Sequence, residues 1–367
     1  MHLSALNITQ FKNYATACVI CTPGINCFVG KNGSGKTNLL DAIYYLSFTK
    51  SYFNAQDQFN IKHDEPWLRI EGNYKRNEME EQVSLFVQRG ERKVLKVNNN
   101  EPKKFSDHIG HLPLVMITPN DIILIQESSE ERRKFLDGMI SQTDKVYLSN
   151  LLMYNRVLEH RNRQLKNYQE GQSFDPVLFE TYNEQLCTAG KLIYETRKTF
   201  LNKFIPVFRV FYQEMASSDE WVNIVYESDI NHEPFDLLIK RSEHSDMMSG
   251  RTTKGIHKDD IGFFIGDYAL KKFGSQGQQK SFIIALKLAQ YNYLKQLTGV
   301  KPLLLLDDIF EKLDAYRLER LLMMIAEDSF GQIFVSDTHL ERLQHVFSSI
   351  PAHVKYFNID NGIINEI

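Results

Sequence analysis

A chain of 367 residues and 42.8 kDa, 43% of it hydrophobic, can bury a full core and has room for more than one lobe. A formal charge of −3 and a pI near 6.4 exclude a global field that would draw the molecule onto nucleic acid or an anionic membrane, so any affinity for DNA must rest on local patches. The opening MHLSALNITQFKNY has no basic n-region, and no run of about eighteen apolar residues follows, so a soluble, cytoplasmic protein with no membrane partner is expected.

In chain order, Leu3, Leu6 and Ile8, then Val19 and Ile20, then Ile25 to Val29 read as short strands. Leu39, Leu40, Ile43 and Leu46 change the period to that of a helix. Residues 67–97 alternate apolar and polar positions, with polar turns at Asn77 to Glu81 and Gln88 to Arg92, and predict an antiparallel sheet. From Ser128 the chain turns helical: Ser128 and Glu131 have capping-box spacing, a second helix is predicted from about Lys145 through Leu165, and Gly171 to Pro176 separates it from a third. These helices predict a compact helical insertion in an α/β chain. After residue 246 strands return; Leu303 to Leu306 is a continuous apolar run, as in a parallel strand covered on both faces, and Asp360-Asn361-Gly362 signals a hairpin. Cys18, Cys21, Cys27 and Cys187 are expected to be reduced, buried thiols, since no second C-x-x-C completes a zinc site.

Gly30-Lys31-Asn32-Gly33-Ser34-Gly35-Lys36-Thr37 matches G-x-x-x-x-G-K-[ST] between a strand and a helix. In such a loop the backbone amides and the helix N-terminus face phosphate oxygens, Lys36 supplies a point charge, and Thr37 can ligate Mg²⁺. Asp307 and Asp308 follow the apolar run; at the end of a central parallel strand Asp307 would hold Mg²⁺ through water and Asp308 would orient an attacking water, whereas alone such a pair also serves as a helix N-cap. Gly274-Ser275-Gln276-Gly277-Gln278 precedes a predicted amphipathic helix carrying Phe282, Ala285, Leu286 and Ala289. It reads either as a second anion site or as a helix-capping turn. Arg132, Arg133 and Lys134, and Arg156, His160, Arg161, Arg163 and Lys166, form basic sets that touch DNA phosphates or are simply solvated.

Phe11-Lys12-Asn13-Tyr14, GKNGSGKTN from Gly30 to Asn38, ERRKFLD from Glu131, His160-Arg161-Asn162, GIHKDD from Gly255, SQGQQK and LLLLDDIFEKLD ending at Asp314 together resemble the RecF family, bacterial recombination-repair ATPases related to the SMC proteins, almost end to end. The resemblance implies an SMC-like ATP-binding cassette head divided as 1–118 (phosphate loop), 119–246 (helical insertion) and 247–367 (signature loop and Asp307 strand). It implies an ATP- and Mg²⁺-dependent homodimer that sandwiches two nucleotides, binds gapped duplex and single/double-strand junction DNA, and works with RecR and RecO to load RecA. On that basis Lys36, Thr37, Gln278 and Asp307 bind nucleotide and metal, Ser275 reaches the γ-phosphate held by the other subunit, and Asp314 belongs to the loop coupling the two sites. Lys12 and Asn13 either reach ATP or are exposed loop residues, and His339 is either a γ-phosphate sensor or a surface or cap residue. Ile256 stands where the family usually has proline. Two other classes share parts of the pattern. A transporter ATPase subunit is usually shorter between the phosphate motifs and has glutamate where Asp308 stands, and an overcoming-lysogenization-defect nuclease would need a further carboxylate-rich domain after the last hairpin.

Overall fold

The computed structural model describes residues 1–367 apart from 55, 77–78, 217–219, 311–312, 327–329, 349 and 351. The start of the expected turn at Asn77 and the pair Glu311-Lys312 of the LLLLDDIFEKLD run therefore lie outside the described residues. The strands in chain order are β1 (His2–Phe11), β2 (Tyr14–Ile20), β3 (Ile25–Val29), β4 (Trp67–Arg76), β5 (Met79–Gln88), β6 (Val94–Val97), β7 (Leu114–Ile117), β8 (Val222–Glu227), β9 (Asp260–Ile265), β10 (Tyr268–Ala269), β11 (Leu303–Asp307), β12 (Ile333–Asp337), β13 (Val354–Asp360) and β14 (Ile363–Glu366). The chain divides into two compact units: Met1–Asp121 with Phe211–Ser218 and Lys280–Ile367, and Ile122–Val210 with Asp219–Gln279.

The first unit holds an antiparallel sheet in the order β2-β1-β4-β5-β6 and a six-stranded sheet in the order β14-β13-β3-β12-β11-β7, parallel from β13 through β7. Side chains of the second sheet alternate between two cores. Phe28, Met116, Leu303, Leu305 and Phe334 join a cluster with Leu39, Leu40 and Ile43 of the helix Lys36–Phe48 and with Leu68, Ile70 and Leu85 of the antiparallel sheet. Cys27, Val115, Leu304, Leu306 and Val335 join the other with Ile284, Leu288, Leu321, Leu343 and Val346. A strand buried on both faces has no polar side, so Leu303–Leu306 reads as an unbroken apolar run.

The second unit contains the helices Ser129–Ser141, Lys145–Gln169 and Phe235–Ser249, most of Pro176–Met215, and an antiparallel sheet in the order β10-β9-β8. That sheet corrects the expectation of a purely helical insertion. Together with residues up to Gln279 it puts the return to the first unit at Lys280 rather than at 247. The physical reason is pairing: Val222–Glu227 and Asp260–Ile265 hydrogen-bond along their whole length, which joins segments on either side of the expected boundary.

Other expectations are corrected as well. The side chain of Ser128 makes no cap hydrogen bond, and it is Ser129 Oγ that accepts, from Arg133. The helix Gln276–Thr298 is not amphipathic, because every residue from Ser281 to Tyr291 is buried. Cys18 is exposed, although Cys21 and Cys27 are buried and all four thiols are free. Burial pushes the Cys21 thiol up to about 12, which keeps it protonated and unreactive. The expected hairpin forms between β13 and β14, with Asn361 (φ 48°) and Gly362 (φ 81°) in the left-handed conformations a two-residue turn demands. Among the described residues no helix is long and apolar enough to cross a membrane.

Arg161 is fully buried. Its guanidinium donates to Asp246 and Thr252 at 2.8 and 2.7 Å and to Asn183 at 2.7 Å, and it stacks on Phe179. Removing one partner of such a pair strands the other charge in a low-dielectric interior. Arg161→Ala is therefore expected to lose about 3–5 kcal/mol of stability, read as an earlier midpoint in urea unfolding monitored by circular dichroism.

Candidate phosphate-binding site

The helix Lys36–Phe48 starts directly from the loop that follows β3, with Gly35 at its N-cap in a conformation (φ 117°) that disfavours any other residue. The loop's carbonyls are held from several directions. Tyr14 Oη donates to Gly35 O at 3.0 Å, Asn13 Nδ2 to Ser34 O at 3.1 Å, and the Gly362 amide to Ser34 O at 3.3 Å. Lys36 Nζ donates to Gly30 O at 2.8 Å and Lys31 O at 3.2 Å. In a trans peptide the next N–H points opposite the carbonyl. Fixing the carbonyls of Gly30, Lys31, Ser34 and Gly35 inward therefore turns the amides of Lys31, Asn32, Gly35 and Lys36 the other way, which makes a nest for an anion at a helix N-terminus. Burial raises the Tyr14 phenol, so it stays protonated and able to donate.

Asp307 ends β11 beside β12, whose C-terminal residues are Ser336 and Asp337. Thr37 Oγ1 donates to Asp307 Oδ1 at 2.9 Å, and Ser336 Oγ donates to the same oxygen at 2.7 Å. The Asp308 amide donates to Ser336 Oγ at 2.9 Å, and Asp308 Oδ1 lies 3.4 Å from that hydroxyl. Asp308 has φ 46°, a left-handed conformation that aspartate tolerates better than most residues and that is common where function fixes the backbone. Burial pushes the Asp307 carboxyl up, opposed by its hydrogen bonds from Ser336 and Thr37, with neighbouring Asp308 adding to the rise. A hydroxyl and a carboxylate converging at the phosphate loop are the few hard oxygens that Mg²⁺ takes from protein when phosphates and water supply the rest. The residues present fit that ion.

The structure thus gathers Gly30 to Asn38, Asp307 and Asp308 in the first unit. Asn38 Nδ2 donates to Asn13 Oδ1 at 2.7 Å, so Asn38 and Asn13 together brace the loop. Lys12 is paired with Asp41 and lies over the rings of Phe11 and Phe53. Sequence reasoning missed the roles of Tyr14 and Ser336, although the hydroxyl-acid pair Ser336-Asp337 after Ile333-Phe334-Val335 repeats the strand-end logic that found Asp307. His339 is largely exposed at the N-cap of Leu340–Phe347, where its side chain makes no cap bond and meets Thr338 and Arg342.

Ser275 and Gln278 lie in the second unit, at the start of the helix Gln276–Thr298. They form a reciprocal cap: the Gln278 amide donates to Ser275 Oγ at 3.2 Å, and Gln278 Oε1 accepts from the Ser275 amide at 2.7 Å. Gln278 Nε2 donates to Glu220 at 2.7 Å. Ser275 Oγ accepts in this cap, so its own proton is left to donate elsewhere.

The basic sets are largely absorbed by internal partners. Arg132 makes a two-pronged pair with Asp260, Arg133 donates to Ser129 Oγ and the Asp259 carbonyl, and Lys134 bridges Glu130 and Glu131. Arg161 is buried, which removes it from the candidate DNA stripe, and Arg163 and Lys166 pair with Glu159 and Glu170. His160 stacks on Tyr182, and Arg156 is exposed.

A strand, phosphate loop and helix in a mostly parallel sheet, with an acid pair two strands away and a capped glycine-rich loop in a separate unit, define a cassette-type P-loop head, and the family described as the RecF/RecN/SMC N terminal domain matches residues 2–355. The chain belongs to this family and, within it, to the RecF group of DNA replication and repair proteins. It is 48% identical over 359 residues to the DNA replication and repair protein RecF of Flavobacterium johnsoniae, covering 98% of this chain and 100% of that one. It is 43% identical over 368 residues to the RecF of Phocaeicola vulgatus, covering 100% and 98%. The solved structure of the recombination mediator protein RecF-ATP in the RecFOR pathway matches with a TM-score of 0.89 at 30% identity, covering 100% of this chain and 97% of that one. An Smc head domain from Pyrococcus furiosus shares the fold at a TM-score of 0.56 and 16% identity.

Three outcomes are expected. Asn13→Ala removes a donor to Ser34 O and the partner of Asn38, and should weaken ATP binding roughly tenfold in a fluorescent-nucleotide titration while leaving the far-UV spectrum unchanged. A Mg²⁺ ion held by Asp307 would compete there with a proton, so any Mg²⁺ enhancement of nucleotide binding should fall on acidification at a higher pH than an ordinary aspartate would give. Asp307→Asn should lose the enhancement at every pH in the same titration.

Proposed function

We propose that the protein is an ATP-dependent DNA-binding protein of recombinational repair and replication restart, in which two copies close around two ATP molecules and clamp gapped or junction DNA. The observation that carries this reading is the pairing of an anion nest at Gly30–Thr37 with the adjacent Thr37–Asp307–Ser336–Asp308 cluster. RecF relatives covering the whole chain, one of them solved with ATP, support it.

In this reading the amides of Lys31, Asn32, Gly35 and Lys36 face the phosphates, and the Lys36 side chain leaves its carbonyl partners to meet the terminal phosphates. Thr37 and Asp307 hold Mg²⁺, which supplies charge neutralisation between the phosphates. Asp308 orients the attacking water. It is one methylene shorter than the glutamate common in related ATPases, and a displacement of about 1 Å can cost on the order of a hundredfold in rate. Hydrolysis is accordingly slow and acts as a release switch.

Ser275 donates its hydroxyl proton to the γ-phosphate held by the second copy, and the first amides of its helix add their positive end. DNA is held through phosphates, so binding is salt-sensitive and indifferent to sequence. The clamp acts with RecR and RecO to load RecA, in the cytoplasm.

Sedimentation with ATP and Mg²⁺, with and without gapped duplex, tests this. Wild type is expected to dimerise only with ATP and to bind DNA as it does so, whereas Lys36→Met and Ser275→Arg stay monomeric. Asp308→Asn should dimerise and hold DNA longer, with hydrolysis reduced at least a hundredfold. Normal dimerisation and DNA binding by Ser275→Arg would leave the GSQGQQK loop as a helix cap alone and end the clamp reading.

A further inference from the structure

The antiparallel sheet of the second unit has one covered face and one open face. Val222, Ile224, Ile261 and Phe263 are buried on the first. On the second, the register sets Asn223 beside Phe264 and Val225 beside Gly262, and Trp221 continues the same stripe, its carbonyl accepting from the Gly266 amide at 2.7 Å. Trp221 is 54% exposed and Val225 38%. The solvated face of an antiparallel sheet is ordinarily polar, so an indole, a phenyl ring and a valine on it call for a partner.

Both rings have a set place. The Arg209 guanidinium lies 4.8 Å from the centre of the Trp221 ring, and it is fixed there by bonds to Val222 O at 3.1 Å and to Asn223 Oδ1 at 2.8 Å. A Cβ at position 262 would come within 2.6 Å of Phe264 Cε2, so glycine at 262 is what lets the Phe264 ring lean along the sheet.

Cations flank these rings on both edges. Arg209 stands at the free edge of β8, where its bonded partners are uncharged. Lys271 and Lys272, both exposed and without an ion pair among the described residues, directly follow β10 at the other edge. The carboxylates lie instead at the two ends of the strands: Asp267 in the turn between β9 and β10, and Glu227 opposite Asp260, which Arg132 engages. Three strands about 4.8 Å apart put the two edges roughly 10 Å from each other, or about three phosphate spacings along one nucleic-acid strand.

We propose that this open face is a stacking platform for an unpaired DNA strand that crosses the sheet from edge to edge. Trp221 and Phe264 take the faces of bases, while Arg209 on one edge and Lys271 and Lys272 on the other take phosphates. Every base has a π-face, so such a contact is indifferent to sequence, and a duplex, whose bases are already stacked on one another, does not offer it. The inference rests on the protein being DNA-binding. It is separate from the nucleotide-driven clamp, because the platform lies within one unit of one chain and needs neither ATP nor a second copy.

The chain has two tryptophans, Trp67 and Trp221, so in a Trp67→Phe chain the emission reports Trp221 alone. Oligo(dT) at low salt, without nucleotide, is expected to quench it, and a duplex of the same length is not. With dye-labelled oligo(dT), Trp221→Ala should bind about tenfold or more weakly, whereas Trp221→Phe stays within about threefold of wild type. Lys271→Gln with Lys272→Gln should make the fall of log K with log salt shallower by about 0.7 for each lysine removed. If Trp221→Ala alters the far-UV spectrum, the lysine pair gives the comparison. Gapped duplex held with ATP but no quenching by oligo(dT), or single-strand affinity undiminished in Trp221→Ala, overturns the platform and leaves the proposed function standing. Trp221 emission that shifts with protein concentration in the absence of DNA, in step with a rising sedimentation coefficient, gives the face to a second copy and overturns the platform as well.

Discussion

A phosphate loop works only if its amides face away from the protein, and that requires its carbonyls to be satisfied from behind. Here donors come from distant parts of the chain: Asn13 and Tyr14 after the first strand and Gly362 in the last hairpin. Ser34 O is the meeting point, accepting from both Asn13 and Gly362. The geometry of one eight-residue motif thus depends on β1–β2 and on β13–β14 being folded. The loop's preorganisation is a property of the whole first unit and not of its glycines alone.

Buried charge in the second unit tells a related story. ERRKFLD, HRN and GIHKDD are far apart in sequence, yet Arg132 pairs with Asp260 and Arg133 donates to Asp259 O. Asp137 and Asp259 share Arg197, and Asn162 Oδ1 accepts from Thr252 while Arg161 donates to that residue's hydroxyl. Arg197 is 1% exposed, and desolvating it costs several kcal/mol that its two carboxylates must offset. Well-packed apolar residues often stabilise as much, so these ions are weak evidence of net stability; what they do is tie the helices Ser129–Ser141 and Pro176–Met215 to the segment that leads into β9. Of the basic residues that look like a DNA surface in sequence, Arg132, Arg133 and Arg161 belong to the internal scaffold of the unit, while Lys134, Arg163 and Lys166 sit in exposed pairs along helix surfaces.

What was legible in the sequence follows from this distinction. The phosphate loop, the doubly covered strand ending in Asp307 and the terminal hairpin each carry a local signal: glycine spacing, an unbroken apolar run, and an Asn-Gly turn. Their positions needed no tertiary information. Strand β8 falls inside the expected helical insertion because its partner β9 lies beyond the helix Phe235–Ser249, although the return of strands after residue 246 is legible, and helical spacing misplaces Arg161 because it shows which residues share a face but not which face is covered. The helix Gln276–Thr298 was read as amphipathic from its four apolar positions; its polar members Lys287 and Gln290 are buried too, Lys287 through an ion pair with Asp121 at 2.7 Å. Tyr14 and Ser336 were invisible as site residues because their importance lies in which carbonyl or carboxylate they meet across the fold.

The cap formed by Ser275 and Gln278 removes the opposition between a helix cap and an anion site. An N-cap hydroxyl that accepts from Gln278 N–H is rotationally fixed, and its proton must then point away from that amide. Capping satisfies one amide of the helix's first turn while leaving the helix dipole and the remaining amides directed along the axis. A serine in that position presents a donor of defined direction at low entropic cost. An alanine would lose both the cap and the donor, whereas an aspartate would keep the cap and repel phosphate. The residue type that best serves local helix formation is also the one whose remaining valence suits an incoming anion, so the cap counts as preorganisation for the proposed contact and not as evidence against it.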